Sequence, residues 1–397
     1  MRTVGTVVRG IRTPIICTGD PLQRVVVDSL LLAAKEESFS FRDRDIVAIT
    51  EAVVAIAQGN YATVDQIAVD IRSKYPSGHI GVVFPTPLSR NRFAILLQGI
   101  ARGAKKLTIL YSYPADEVGN ALFREDLLEN FGINPCTDEF SGQEYEIRFG
   151  DEVHPITGIN YPRYYREIVE KEGCEIDYLF SNRAASILDF CSDVLVANVH
   201  RREKTKRQLR EAGANVVFGT DDILTQSVLG SGYNPKYGLL GSNRATEEKV
   251  KLFPRDGERL VNGVQQELRE RTSKEIEVLV YGDGAFKDPV TGIWELADPV
   301  SCVSHTEGLG GTPNEVKLKY LVNSQFSSLQ GEELNRAVKE TIRQKDKTLT
   351  GKMWSQGTTP RRLTDLLSSL CDLTTGSGDK GTPVVLIQGY FDNYSDA

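Results

Sequence analysis

Along the chain, apolar runs of strand length alternate with longer segments whose apolar residues recur at helical spacing. Residues 6–8 read as a strand, followed by a Gly-Asp turn at "CTGDP" (17–21). A helix is expected over 21–35, where "VVVDSLLLAAK" keeps one face apolar and Pro21 suits the first turn. Residues 46–49 read as a buried strand, followed by a small-residue segment that ends at Gly59. Two later stretches, 79–113 and 193–224, each give strand, helix, strand, and such βαβ-like units predict a parallel sheet with helices packed on it. In the last third, 258–273 reads as a helix leading into a strand at 278–281. Residues 359–373 read as another helix, with Thr359 as N-cap and Pro360 in its first turn, and 382–390 as a closing buried strand. Residues 120–177 are rich in charge and turns, and no element is assigned there.

Composition narrows the function classes. A chain of 397 residues, 40% hydrophobic and 25% charged, has the length of two or three globular domains. A net charge of −7 argues against a protein that coats nucleic acid. The six cysteines form no CxxC pair and read as reduced thiols of a cytoplasmic protein. The first residues lack the apolar stretch of a signal peptide, and the longest apolar run, 45–59, contains Glu51 and is too short to span a bilayer. A cytoplasmic protein with neither a nucleic-acid nor a membrane partner is therefore expected. His79, His154, His200 and His305 share no metal-site spacing, and neither H-E-x-x-H nor G-x-S-x-G occurs. Serine and zinc hydrolase chemistry thus has little support.

Where the residues suggest chemistry, they suggest anions and hard cations. The strand at 278–281 runs into Gly282-Asp283-Gly284, with Asp288 and Asp298 beyond. One reading is a tight turn, which glycine and aspartate favour. The other is a nucleotide phosphate and its metal meeting bare backbone and one carboxylate. Ser89, Arg90, Asn91 and Arg92 stand at the mouth of a helix, where free N–H groups attract anions. With the turns at 113–120, which carry Asp116 and Glu117, and at 180–187, they would share a crevice at the strand C-termini of a parallel sheet. Each turn alone reads equally well as a cap. The "TTGSGDKG" loop (374–381) is glycine-rich but is not a P-loop.

Several of these pieces together resemble one family. The stretches "GIRTPIICTGDPL", "RDRDIVAITEAVVAIAQGN", "GLLGSNRATEEKVKLFPRDGERL" and "TDLLSSLCDLTTGSGDKGTPVVLIQGY" are similar, in order and spacing, to the coenzyme F-420-0:γ-glutamyl ligases. These attach glutamate to a deazaflavin precursor using GTP and divalent metal. The resemblance implies an α/β protein. Its ligase core of α+β type with mixed sheets would comprise 1–75 and 236–397, and 76–235 would be an inserted α/β domain with a largely parallel sheet. It also implies metal-binding acids at Asp256 and Asp283 for Mg²⁺ or Mn²⁺, and nucleotide contacts at Ser242, Asn243, Gly282 and Gly284. Asp283 and Lys287 would be catalytic, Arg255 would add positive charge against the phosphates, and Asp20 and Asp365 would be site acids or helix-start acids. GTP, L-glutamate and a small-molecule acceptor would be the partners of a homodimer.

Departures from the family pattern bear on the acceptor. Ile56 and Gln58 stand where the family has lysine and glutamate, Leu240 where it has aspartate, and Gly284 where it has threonine. The leading expectation is a GTP- and metal-dependent ligase that joins L-glutamate to a small cofactor-like acid through an acyl phosphate. The alternatives are a folate-type glutamyl ligase, a non-catalytic binding protein on a ligase core, and a nucleotide enzyme whose chemistry lies in the insertion.

Overall fold

The computed structural model describes residues 3–87, 89–122, 124, 126–154, 157–284, 286–287, 294–295, 298–355, 361–375 and 378–396, with backbone alone at 286, 287, 294 and 295. Five strands form the first sheet, in the order Val7–Ile11, Val384–Gln388, Ile46–Thr50, Glu277–Tyr281, Cys302–His305. Ile46–Thr50 and Glu277–Tyr281 run parallel; the other neighbours are antiparallel. Both faces of this sheet are covered, which is why its strands read as unbroken apolar runs. Val47, Ile49, Val278 and Val280 pack against Val26 and Leu30 of the helix Leu22–Glu36 and Val261 and Leu268 of the helix Gly257–Thr272. Ile46, Ala48, Leu279 and Tyr281 point the other way, onto Leu363, Leu367 and Cys371 of the helix Leu363–Thr374.

The second sheet has six strands, in the order Phe140–Ser141, Glu175–Phe180, Lys106–Tyr111, His79–Val83, Asp193–Val196, Val216–Gly219. All are parallel except the short edge strand Phe140–Ser141. From His79–Val83 the chain moves outward in one direction to Glu175–Phe180, then returns to Asp193–Val196 on the other side. The strand order therefore reverses between His79–Val83 and Asp193–Val196, and the loops after these two strands diverge at that point.

The two sheets meet through a small apolar cluster of Tyr237, Leu240 and Phe253, with Val199 from beside the second sheet and Val303 of the first packed against it. The helix Val64–Lys74 buries Val64, Ile67 and Ile71 in the same apolar cluster as Ile80, Leu107 and Leu195 of the second sheet, together with Leu239, Val250 and Leu252 from beyond it. It crosses the helix Phe93–Gly103 closely, because Gly99 and Gly103 carry no side chain where they meet Ile67 and Ile71. A small antiparallel sheet, Asn243–Thr246, Lys249–Lys251 and Tyr61–Thr63, closes the junction.

The expected mixed and largely parallel sheets are both present, and most expected elements fall within a few residues of the observed ones. The small-residue segment before Gly59 proves to be a helix, Glu51–Ala57, ended by Gly59 at a φ of +59°. The cap at Thr359 needs correction: the last long helix starts at Leu363 with Arg362 at its N-cap, and Thr359 and Pro360 lie outside the described residues. Asp288 lies outside them too.

Candidate functional site

The only parallel pair in the first sheet decides what can meet at its edge. Thr50 stands opposite Tyr281 in the parallel register, so the next residues of the two strands, Glu51 and Gly282, leave the sheet side by side. Glu51 opens its helix, and its buried carboxylate takes two bonds from the Lys251 ammonium, at 2.7 and 2.8 Å. Asp283 follows Gly282, and its Oδ2 accepts from an Arg92 Nη at 2.7 Å. The other Arg92 Nη donates to Asp298 Oδ1, also at 2.7 Å, while Asp298 Oδ2 accepts the Asp283 N–H at 2.7 Å. Asp298 is fully buried. Asp372, two turns along the helix Leu363–Thr374 from Asp365, accepts the Gly284 N–H at 3.0 Å.

The glycines around Asp283 have a spatial reason. Neither lies at positive φ. A Cβ on Gly282 would stand 2.2 Å from the Asp298 carboxylate, and one on Gly284 would stand 2.8 Å from the Ser369 Cα. Both are distances that real side chains do not tolerate. The glycines are required because a buried carboxylate and a helix backbone press against the strand end.

Glu51, Lys251, Gly282, Asp283 and Asp372 line a cavity of about 670 Å³, together with Ile56, Tyr61, Asn91, Asn243 and Arg244. Four carboxylates (Glu51, Asp283, Asp298, Asp372) meet three cations, Arg92, Lys251 and Arg244, in and behind its wall. Electrostatics follow from that excess. Burial first, then Asp298, pushes Asp283 up to about 7, against the opposing pull of Arg92; Asp372 and Glu51 add to the rise. Burial raises Glu51 despite its lysine partner. Burial works against the Arg92 cation, yet Asp298 and Asp283 together hold it above its ordinary value. Arg244, which lines the same cavity, has a buried Nε with no hydrogen-bond partner among the described residues.

Several other expected site residues lie elsewhere. Asp256 is exposed at the start of the helix Gly257–Thr272, in left-handed backbone, and does not line the Asp283 cavity. Asp20 closes its own turn by accepting the Cys17 N–H at 2.6 Å. Asp365 accepts from Ser301 Oγ at 2.9 Å and lines a separate cavity of about 640 Å³ with His200, Cys302 and Arg362. Asn243 lines the Asp283 cavity, whereas Ser242 is buried with its hydroxyl donating to the Leu239 carbonyl at 2.7 Å. Lys287 sits in a two-residue ribbon strand paired with Trp294–Glu295. Arg255 lies over the Tyr233 ring and donates to Asn60.

The departures from the family pattern acquire local reasons. Leu240 is packed against Tyr237 and Phe253, an apolar setting in which the family's aspartate would be buried. Gln58 both donates to the Arg255 carbonyl and accepts the Arg255 N–H, a double role that an ionised glutamate cannot fill. Ile56 lines the cavity that Lys251 also lines.

The crevice expected at the second sheet exists in outline, and protein fills it. Glu117 accepts the backbone N–H groups of Val199, His200 and Arg201, at the place beside the strand-order reversal where an anion would sit. Leu239, Leu240, Gly241 and Ser242 line the crevice opposite Thr86, Ser89 and Val199, leaving about 50 Å³. Ser89 caps the helix Phe93–Gly103 by accepting the Phe93 N–H at 2.8 Å. Asp116 closes a turn on Val118 and Asn120, and burial raises its pKa. Arg90 is exposed, and the Asn91 carbonyl accepts the Arg244 N–H at 2.7 Å. Of the group at 89–92, Arg92 alone bonds the acids of the first sheet.

Sequence reasoning noted Asp298 downstream of Asp283 but did not bring Glu51, Lys251, Arg244 or Asp372 to the same site. Glu51 had one signal, a lone acid directly after a buried strand. The others gave none, because their meeting depends on strand pairing.

Among the described residues no three His, Cys, Asp or Glu side chains converge as a self-contained metal site. The donor chemistry fits a looser arrangement. Mg²⁺ keeps most of its water and is commonly held by one or two carboxylates plus substrate phosphates, and Asp283 and Asp372, both hard oxygen donors, line the same cavity.

Among known proteins, a family model described as F420-0:Gamma-glutamyl ligase matches residues 10–389 of the chain. No curated protein matches the chain.

Proposed function

We propose, from the premise that the chain belongs to the F420-0:gamma-glutamyl ligase family, that it is a GTP- and divalent-metal-dependent ligase. It joins L-glutamate to a small cofactor-like carboxylic acid through an acyl phosphate, and the cavity beneath Asp283 holds the nucleotide phosphates. The family implies gamma-glutamyl ligase activity; the nucleotide, the metal and the intermediate are the proposal. One observation carries it: a single cavity is lined by Asp283 and Asp372 and also by Arg244, whose buried Nε has no hydrogen-bond partner among the described residues. A metal–phosphate pair is a ligand with those two needs.

The division of labour among residues follows from the geometry. Asp283 and Asp372 would hold Mg²⁺ or Mn²⁺ together with phosphate oxygens. The bound metal would supply Lewis acidity and neutralise charge as phosphoryl transfer develops. Arg244 would donate to phosphate, and Lys251, oriented by Glu51, would add positive potential in a partly dry site where it is weakly screened. Asn91 and Asn243 supply neutral donors and acceptors at the mouth. Ile56 makes this wall apolar where the family pattern expects a lysine, which favours an acceptor less anionic than the family's own. The same residue supports the second reading, a binding protein without turnover.

The test is the thermal unfolding midpoint with GTP or ATP, with and without Mn²⁺, followed by phosphate release in the presence of a panel of small carboxylic acids, with and without L-glutamate. A ligand at a hundred times its dissociation constant stabilises the folded state by about 2.7 kcal/mol. The proposal expects a metal-dependent rise with one nucleotide and glutamate-dependent phosphate release. A rise without any release selects the binding protein. No rise with millimolar nucleotide rejects both.

A further inference from the structure

We infer that Arg92, delivered by the second sheet, is a positioning residue for the Asp283 site, so that neither sheet forms the cavity alone. The inference rests on the ligase reading and deepens it. Four observations support it. Arg92 ends the loop after His79–Val83, one of the two strands flanking the order reversal, where a parallel sheet ordinarily places ligand-binding loops. Here the crevice is filled by Leu239, Leu240, Gly241 and Ser242, and Glu117 occupies its backbone N–H groups. The loop is anchored on both sides: Tyr165 donates its hydroxyl to the Thr86 and Pro87 carbonyls at 3.0 Å, and the Asn91 carbonyl accepts the Arg244 N–H. What projects from this anchored loop into the acids of the first sheet is a guanidinium with both Nη atoms engaged.

The fork geometry explains what Arg92 does. Asp298 is used up, one oxygen on Arg92 and the other on the Asp283 N–H. Asp283 gives only Oδ2 to Arg92, which fixes the rotamer while its other oxygen remains for a ligand. A lysine ammonium could satisfy one acid but cannot present two parallel N–H groups at fixed separation. Arg92 thus acts through Asp283, as an outer partner orients a metal ligand. Arg92 lies inside the family match of residues 10–389, though outside the stretches 1–75 and 236–397 whose motifs carried the resemblance.

The experiment measures Mn²⁺ binding in the presence of GTP, by loss of the free Mn²⁺ magnetic-resonance signal, on the full chain. Wild type is compared with Arg92→Lys and Arg92→Gln, each with and without low-millimolar guanidinium chloride. Loss of an orienting partner weakens metal binding roughly 10- to 100-fold. The inference expects that loss in both variants, with guanidinium restoring much of it in Arg92→Gln, a recovery that a general folding defect would not show. The circular dichroism of Arg92→Lys reports that the fold is retained. Wild-type affinity in both variants, or losses that guanidinium leaves untouched, would overturn the Arg92 assignment and leave the ligase reading standing. A wild-type protein that binds no Mn²⁺ with GTP overturns the ligase reading itself, and the role of Arg92 with it.

Discussion

At the scale of single residues, Asp283 shows how much a carboxylate depends on its neighbours. Its ordinary pKa, near 3.9 when unfolded, rises to about 7 in the folded protein through burial and the company of Asp298. Between those values the folded chain keeps a proton that the unfolded chain has lost. Stability should therefore fall as pH rises from about 4 to about 7. Asp283→Asn, which mimics the protonated form, should remove this part of the fall. Urea unfolding of both proteins at pH 5 and pH 8 measures it, and an equal pH dependence in the two would contradict the assignment. The flanking glycines were legible as special in the sequence, but the reason was not. They suggested turn angles, whereas the structure shows a carboxylate and a helix backbone at distances that exclude any Cβ.

At the scale of elements, helix and strand types were readable because apolar period reports which faces are covered. The pairs Val47/Ile49 and Ile46/Ala48 pack on opposite helices, so a continuous apolar run identified a central strand. Helix ends were less legible, since the start at Leu363 is made without a side-chain cap and a Thr-Pro signal nearby misdirects. Gly103 was not singled out, yet it sets how closely the helices Val64–Lys74 and Phe93–Gly103 approach. A Cβ there would lie 2.7 Å from Ile71 Cγ2 and 2.9 Å from the Ala68 carbonyl oxygen. Gly103→Ala should therefore destabilise the protein by about 1–3 kcal/mol, the usual cost of overpacking. Urea unfolding checks it; a stabilised variant would mean the helices can separate freely.

At the scale of the whole molecule, the two sheets belong to one packed body. Val64, Ile67 and Ile71 come from the N-terminal third, and Leu239, Val250 and Leu252 follow the second sheet. All six lie in one apolar cluster with that sheet. The second sheet's core is therefore incomplete without chain from both sides of it, and Tyr237, Leu240 and Phe253, packed with Val199 and Val303, join it to the first sheet. Calorimetry should accordingly show one cooperative transition, with the van't Hoff and calorimetric enthalpies equal. Two resolved transitions would show that the sheets unfold independently. Among the described residues, no helix is long and apolar enough to cross a membrane.

By itself the sequence determined the α/β class, the places of most strands and helices, the family, and the importance of the strand end at Asp283. These follow from local period, turn chemistry and motif order, which a linear chain carries on its face. Only the tertiary structure decided which acids gather there. It placed Glu51 beside Gly282 through a parallel register, brought Asp372 up from a helix, and left Asp256 exposed at a helix start. It also turned an apparent ligand crevice into the anchor for Arg92. Pairing between segments nearly 200 residues apart is set by packing and hydrogen-bond register, and neither is written in local sequence.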